Sequence, residues 1–198
     1  MNTVATYAGI PIPVIEGLTA DQVLTLINCR GFEQYESMRT DYDAGKCPFC
    51  DPLDKKNVVI AQSVGGWRIW KNPFPIKHSV LHLMMAPIKH IMPEQGLNQS
   101  DFTQIGALML GACREFDIIG GGFVMRFGTP KFNAGSVLHL HANIIVPDQT
   151  GDIQVTLAKN PKKFQEAIAR MHIYGRLYAG VQVSELLEYE QKLVEGRI

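Results

Sequence analysis

The apolar positions of this chain keep two different rhythms. Between Ser100 and Asp117, Phe102, Ile105, Leu108, Met109, Ala112 and Phe116 recur at three- and four-residue steps and form one stripe on a helix. Ser100 is its expected cap and Gly120-Gly121-Gly122 its expected stop. On both sides of this helix the pattern shortens to that of strands. VVIAQS (58–63) and WRIWK (67–71) flank Gly65-Gly66 as a hairpin, SVLHLMMA (79–86) runs up to Pro87, FVMRFG (123–128) follows the helix, and VLHLHANIIVP (137–147) stops at Pro147. Ahead of them lies a Pro/Gly-broken lead-in, GIPIP, and a helix with Thr19 as cap and Gly31 as stop. Behind them come two more helices, NPKKFQEAIARMHIY (160–174) and VSELLEYEQKLVEG (183–196). The sum predicts an α+β fold: an antiparallel sheet with one long helix packed on it, and extra helices at both termini.

Composition narrows the function classes. The 198 residues are 46% hydrophobic and 19% charged, an ordinary globular mixture with no sign of disorder. Lys+Arg and Asp+Glu both number 19, so no broad positive surface is available to grip nucleic acid. A small anionic ligand needs only a few local donors and stays open. No apolar run reaches the roughly 18–20 residues of a membrane span, and the N-terminus lacks a basic-then-apolar leader. The expected setting is cytoplasmic. Of the four cysteines only Cys47 and Cys50 are close, in KCPFCD, a spacing that suits metal or redox use better than a disulfide framework.

Candidate chemistry concentrates in the last strand. Strand alternation sets Leu138, Leu140, Ala142, Ile144 and Val146 on one apolar face and His139, His141 and Asn143 on the other, about 6.5–7 Å apart. Imidazole can act as nucleophile, general base or metal ligand near neutral pH, so neighbouring histidines can take different tasks. Cys47 and Cys50 form the C-x2-C half of a tetrahedral zinc site and need two further ligands, for which His78, His82, His90, His139, His141 and His172 are the choices. A thiol redox pair and unligated thiols are the alternatives.

These segments, taken in order, resemble the histidine triad superfamily, whose mark is a strand reading His-φ-His-φ-His-φ-φ. The stretch here is His139-Leu-His141-Ala-Asn143-Ile-Ile, with asparagine in the third place. That departure is similar to the glutamine of galactose-1-phosphate uridylyltransferase and the diadenosine tetraphosphate phosphorylases. CPFC resembles the family's zinc CxxC, NPFPIKHSVLHLMMAPIKHI (72–91) its substrate-side strand segment, and NAGSVLHLH its Gly-x-Ser approach to the motif. The likeness implies a catalytic domain over 46–150, with extensions at 1–45 and 151–198.

The resemblance also implies roles. His141 is the nucleophile that takes a nucleotidyl group, and Cys47, Cys50, His90 and His139 hold a structural zinc. Asn72 contacts the nucleotide, while Ser136 and Asn143 bind the phosphate or leaving group as part of the catalytic set. The carbonyl of His139 orients the His141 ring. Asn133 reads equally as a phosphate ligand or a turn residue, and Arg126 as a phosphate donor or a structural strand residue. His82 matches a packing position, Lys77 and His78 lie in an insertion, and His172 is placed on the surface. The implied activity is a nucleotidyl hydrolase or transferase acting on a dinucleoside polyphosphate or nucleoside phosphoramidate through a nucleotidyl-histidine, in a homodimer. The alternative is a zinc-stabilised nucleotide-binding protein with little turnover.

Overall fold

The computed structural model describes residues 5–50, 58–92 and 97–195. The chain divides into two compact units, one of residues 1–46, 130–138 and 156–198, the other of 47–129 and 139–155.

The first unit is helical apart from a small ribbon of β1 (Thr6–Tyr7) and β2 (Ile10–Pro11). Helix α1 (Ala20–Ile27) is capped by Thr19, as expected, in a reciprocal box with Gln22. It ends at Asn28, not at Gly31, because Gly31 opens a second helix, α2 (Phe32–Asp43), that the pattern did not predict. Its inner face consists of Tyr35, Met38 and Tyr42 set among charged residues, too sparse a stripe to stand out. A short α4 (Pro130–Asn133) belongs to this unit, as do α5 (Pro161–Tyr178) and α6 (Glu188–Val194). The expected helix 183–196 is broken: Val183–Glu185 form a 3-10 turn before α6, and Gly196 lies outside the described residues. Tyr7 stacks on Phe164 with ring centroids 4.2 Å apart, and Tyr35 tilts against Tyr174 at 5.7 Å.

The second unit carries the expected antiparallel sheet, in the order β3 (Val59–Gln62), β4 (Trp67–Lys71), β5 (Ser79–Pro87), β7 (His141–Pro147), β6 (Gly122–Arg126). Helix α3 (Gln99–Glu115) packs on one face, where Ile105, Leu108 and Ala112 meet Trp67, Ile69, Leu83, Met85, Ala142 and Ile144 in one core cluster. Its cap is Asn98 and not Ser100: Asn98 and Asp101 bond each other's backbone N–H in a box, and Asp101 also accepts the Trp67 indole N–H at 2.9 Å. The helix stops at Phe116, four residues before the glycines. Phe102, expected in its buried stripe, is 55% exposed.

The expected strand 137–147 starts only at His141. The reason lies in the neighbouring strand. Pro87 ends β5 with no N–H to offer the ladder, and its carbonyl accepts instead from the ring of His139. The Leu140 N–H turns to the Ile91 carbonyl at 2.8 Å.

Candidate functional site

On β7 the alternation sends Ala142 and Ile144 into the α3 core, so His141 and Asn143 point to the opposite face of the sheet. Arg68 and Trp70 on β4 and His82 on β5 share that face, alternating with the core residues Ile69 and Leu83. The CPFC turn, closed by the Cys50 N–H on the Cys47 carbonyl, lays Phe49 against it. The Phe49 ring meets Trp70, His139 and His141 edge-on at 5.3, 5.8 and 5.3 Å. The buried Arg68 guanidinium donates to the Phe49 carbonyl and so anchors the turn from the sheet side. Neither Arg68 nor Phe49 stood out in the sequence; an arginine inside the apolar run WRIWK was the available signal.

This turn brings Cys47 and Cys50 to His90 and His139, with the four ligand atoms all within 4.8 Å of one another. Cys47 Sγ is 3.3 Å and Cys50 Sγ 3.6 Å from His139 Nδ1, and Cys50 Sγ is 3.2 Å from His90 Nδ1. A tetrahedral zinc centre, with bonds of about 2.3 Å to sulfur and about 2.0 Å to nitrogen, sets such sulfur–nitrogen pairs about 3.5 Å apart. The tautomer also fits. His139 Nε2–H donates to the Pro87 carbonyl at 2.9 Å, leaving the Nδ1 lone pair directed at the sulfurs. Burial, followed by the neighbouring His90, pushes the His139 imidazole down to about 3, so the ring is neutral as a ligand requires. Burial pushes the Cys47 thiol up to about 12; a divalent cation is the natural partner for its thiolate. The donor set is compatible with zinc.

His141 sits beside this cluster with its Nδ1–H on the His139 carbonyl at 2.8 Å. Two strand positions on, Asn143 belongs to a second network. His82 Nδ1 accepts the Ile76 N–H at 3.0 Å, so its Nε2–H donates to Asn143 Oδ1, also at 3.0 Å. The Asn143 amide is thereby turned with its NH2 towards β6, 3.4 Å from the Val124 carbonyl. Asn72 joins the network: its Oδ1 accepts the Phe74 N–H at 2.8 Å and its NH2 lies 3.3 Å from the His82 Nδ1 acceptor. His82, matched in the sequence to a packing position, therefore orients two of the candidate site residues.

The other candidates are placed as follows. Ser136 and Asn133 belong to the first unit. There the Ser136 hydroxyl accepts from Gln34 Nε2 at 3.1 Å, and Asn133 Oδ1 holds the Gly135 N–H at 2.8 Å in a turn. His78, at a positive φ of 64°, lies 2.8 Å from the Thr150 hydroxyl. His172 is exposed on α5, as expected. Among the described residues no helix is long and apolar enough to cross a membrane.

No protein-family model matches the chain, and no curated protein matches it in sequence. Several solved structures align with part of the chain. A hypothetical protein from Leishmania major is 18% identical, with 70% of this chain aligned to 99% of that one at a TM-score of 0.43. A diadenosine triphosphate hydrolase from Plasmodium falciparum, in complex with cyclomarin A, is 18% identical over 64% of this chain and 81% of its own, at 0.40. A zinc-bound histidine triad family protein from Mycobacterium smegmatis is 17% identical over 70% of this chain and 99% of its own, at a TM-score of 0.42.

Proposed function

We propose that this chain is a nucleotidyl hydrolase or transferase in which His141 attacks the α-phosphate of a nucleoside phosphate derivative. The observation that carries the reading is the 2.8 Å bond from His141 Nδ1 to the His139 carbonyl. It holds the ring as the Nδ1–H tautomer and leaves the Nε2 lone pair for phosphorus. In the first step Nε2 forms a bond to phosphorus, and the bond to the leaving group breaks with its electron pair. In the second, water or another acceptor attacks the same phosphorus and returns the pair to Nε2. The Asn143 Oδ1 is held by His82, and its NH2, which bonds the Val124 carbonyl only weakly at 3.4 Å, would be the donor to a phosphoryl oxygen. Cys47, Cys50, His90 and His139 would hold a structural zinc. With four protein ligands it leaves no open position for chemistry and fixes the backbone from which His141 is aimed. The resemblance in sequence also implies a cytoplasmic homodimer, and sedimentation measures the assembly.

Rapid quenching with an adenosine polyphosphate, followed by mass spectrometry, tests the reading. The expected product is a nucleotidyl adduct on the peptide carrying His141, absent in His141→Ala. Turnover that survives in His141→Ala rejects the nucleophile. Binding of nucleotide by an inert wild type favours the binding-protein alternative.

A further inference from the structure

The first unit gathers positive charge at the end of α1, and a chain of side-chain bonds holds it there. Asn28, the C-terminal cap of that helix, uses both ends of its amide: Nδ2 donates to the Gly135 carbonyl at 3.0 Å, and Oδ1 accepts from Lys159 Nζ. Lys159 is fixed at its backbone as well. Its N–H donates to the Tyr7 hydroxyl at 2.7 Å, that hydroxyl donates to its carbonyl at 2.9 Å, and the Tyr7 ring is stacked on Phe164. Two residues beyond Asn28, the Arg30 N–H donates to Gln34 Oε1 at 2.9 Å, and Gln34 Nε2 donates to the Ser136 hydroxyl at 3.1 Å. Segments far apart in the chain are thus tied together at one corner, by neutral amides and hydroxyls.

The charges surround Cys29. Arg30, Arg170 from α5 and Lys159 all act on its thiol. Burial outweighs them and pushes the thiol up to about 12, so at neutral pH it is uncharged and neutralises none of them. Lys159 and Arg170 are half-buried and Arg30 keeps exposed surface, so solvent reaches the cluster. Even so, desolvation pulls the Arg30 guanidinium down from its usual value. A partly dehydrated cation attracts an anion more strongly than one in bulk water. Like charges held side by side repel each other, and an anion between them relieves the repulsion. A guanidinium offers parallel N–H donors that match phosphate oxygens, and an ammonium adds a compact charge. Holding the lysine in advance lowers the entropy lost when a ligand arrives.

We propose that this corner of the first unit is a binding site for a phosphate group, with Arg30 and Lys159 as direct ligands and Arg170 as a flanking charge. Asn28 and Tyr7 are positioning residues that act through Lys159. All five residues lie outside 46–150, where the sequence resemblance runs, and the site does not rest on His141 as a nucleophile. The phosphate comes either from free inorganic phosphate or from a nucleotide.

Equilibrium dialysis of the full chain against radiolabelled inorganic phosphate, in a chloride buffer of fixed ionic strength, tests it. Wild type and His141→Ala are expected to bind the label saturably and alike. Lys159→Met and Arg30→Met should each weaken binding by about 10–100-fold, the usual effect of losing one charge-assisted bond. Lys162→Met, which removes an exposed lysine paired with Glu166 on the same unit, should leave it unchanged. Phosphate should also raise the melting temperature of wild type and not that of Lys159→Met. Displacement of the label by AMP or ATP at lower concentration than by unlabelled phosphate supports the site and assigns it to a nucleotide. Displacement by unlabelled phosphate at equal or lower concentration supports it and assigns it to the free anion. Absence of saturable binding by wild type overturns the proposal without any variant, so a misfolded Lys159→Met cannot obscure the answer. Binding that persists undiminished in both Lys159→Met and Arg30→Met overturns it too. Binding that disappears in His141→Ala places the phosphate at His141 and overturns this site while leaving the nucleophile reading intact.

Discussion

Replacing His139 and His90 by alanine in turn should separate metal binding from folding. The two rings face the same pair of cysteines, but His139 has no exposed surface and His90 is exposed. His139→Ala removes the donor from the buried Pro87 carbonyl, which costs about 1–3 kcal/mol. It also empties the space between Phe49 and His90, whose ring centroids lie 5.8 and 4.8 Å from its own, at about 2–3 kcal/mol for a large-to-small change. The sum is about 3–6 kcal/mol, or a Tm lower by roughly 10–15 °C for a chain of this size. His90→Ala loses an exposed ring with its contacts to the Met92 and Cys50 sulfurs and its edge contact to His139, worth about 0.5–1 kcal/mol at an exposed position. Urea unfolding and thermal melts in chelator read these values free of metal, and elemental analysis without chelator reads zinc per chain. Both variants should lose zinc, and only His139→Ala should be strongly destabilised in chelator. Equal stabilities in chelator would refute the assignment of His139 as a structural node, and full zinc in either variant would remove that histidine from the ligand set.

Burial pushes the Cys29 thiol from 9.0 up to about 12, so above pH 9 the unfolded chain releases a proton that the native one keeps. Its contribution is complete below that pH and is lost as pH rises towards 12, at up to about 1.4 kcal/mol per unit; urea midpoints of Cys29→Ala between about pH 8 and 11 should fall less steeply than those of wild type. A Cβ on Gly121 would sit 2.7 Å from the Ile145 carbonyl oxygen, while Gly120 and Gly122 have nothing within 4 Å, so Gly121→Ala should cost about 1–3 kcal/mol and Gly120→Ala far less in thermal melts.

How much was legible from sequence depended on whether the cause was local. The β3–β4 hairpin could be read because Gly65-Gly66 stands between two short apolar runs, and α3 because its stripe is long. CPFC announced its donor chemistry by spacing alone, and the need for nitrogen partners narrowed the search to six histidines; the structure sets His90 and His139 beside the two sulfurs. What escaped was decided at a distance. The late start of β7 depends on Pro87, more than fifty residues earlier, and nothing within VLHLHANIIVP reports it. The choice of Asn98 over Ser100 as cap was a contest between two suitable residues, settled by the reciprocal bond of Asp101. The orienting role of His82 needed the register of β5 on β7 to bring it to Asn143.

The path of the chain gives His139 a further meaning. The backbone leaves the second unit after Thr129, contributes nine residues to the first, and re-enters at His139. The first residue back is therefore the one that faces Cys47, 92 positions earlier, at the point where the unit begins. An ion shared by these residues would close a loop of nearly the whole unit. In the chain-entropy view, a cross-link of about 100 residues removes roughly 4–5 kcal/mol of freedom from the unfolded state. The cluster would then act as a clasp on an interrupted chain, joining the start of the unit to its point of return.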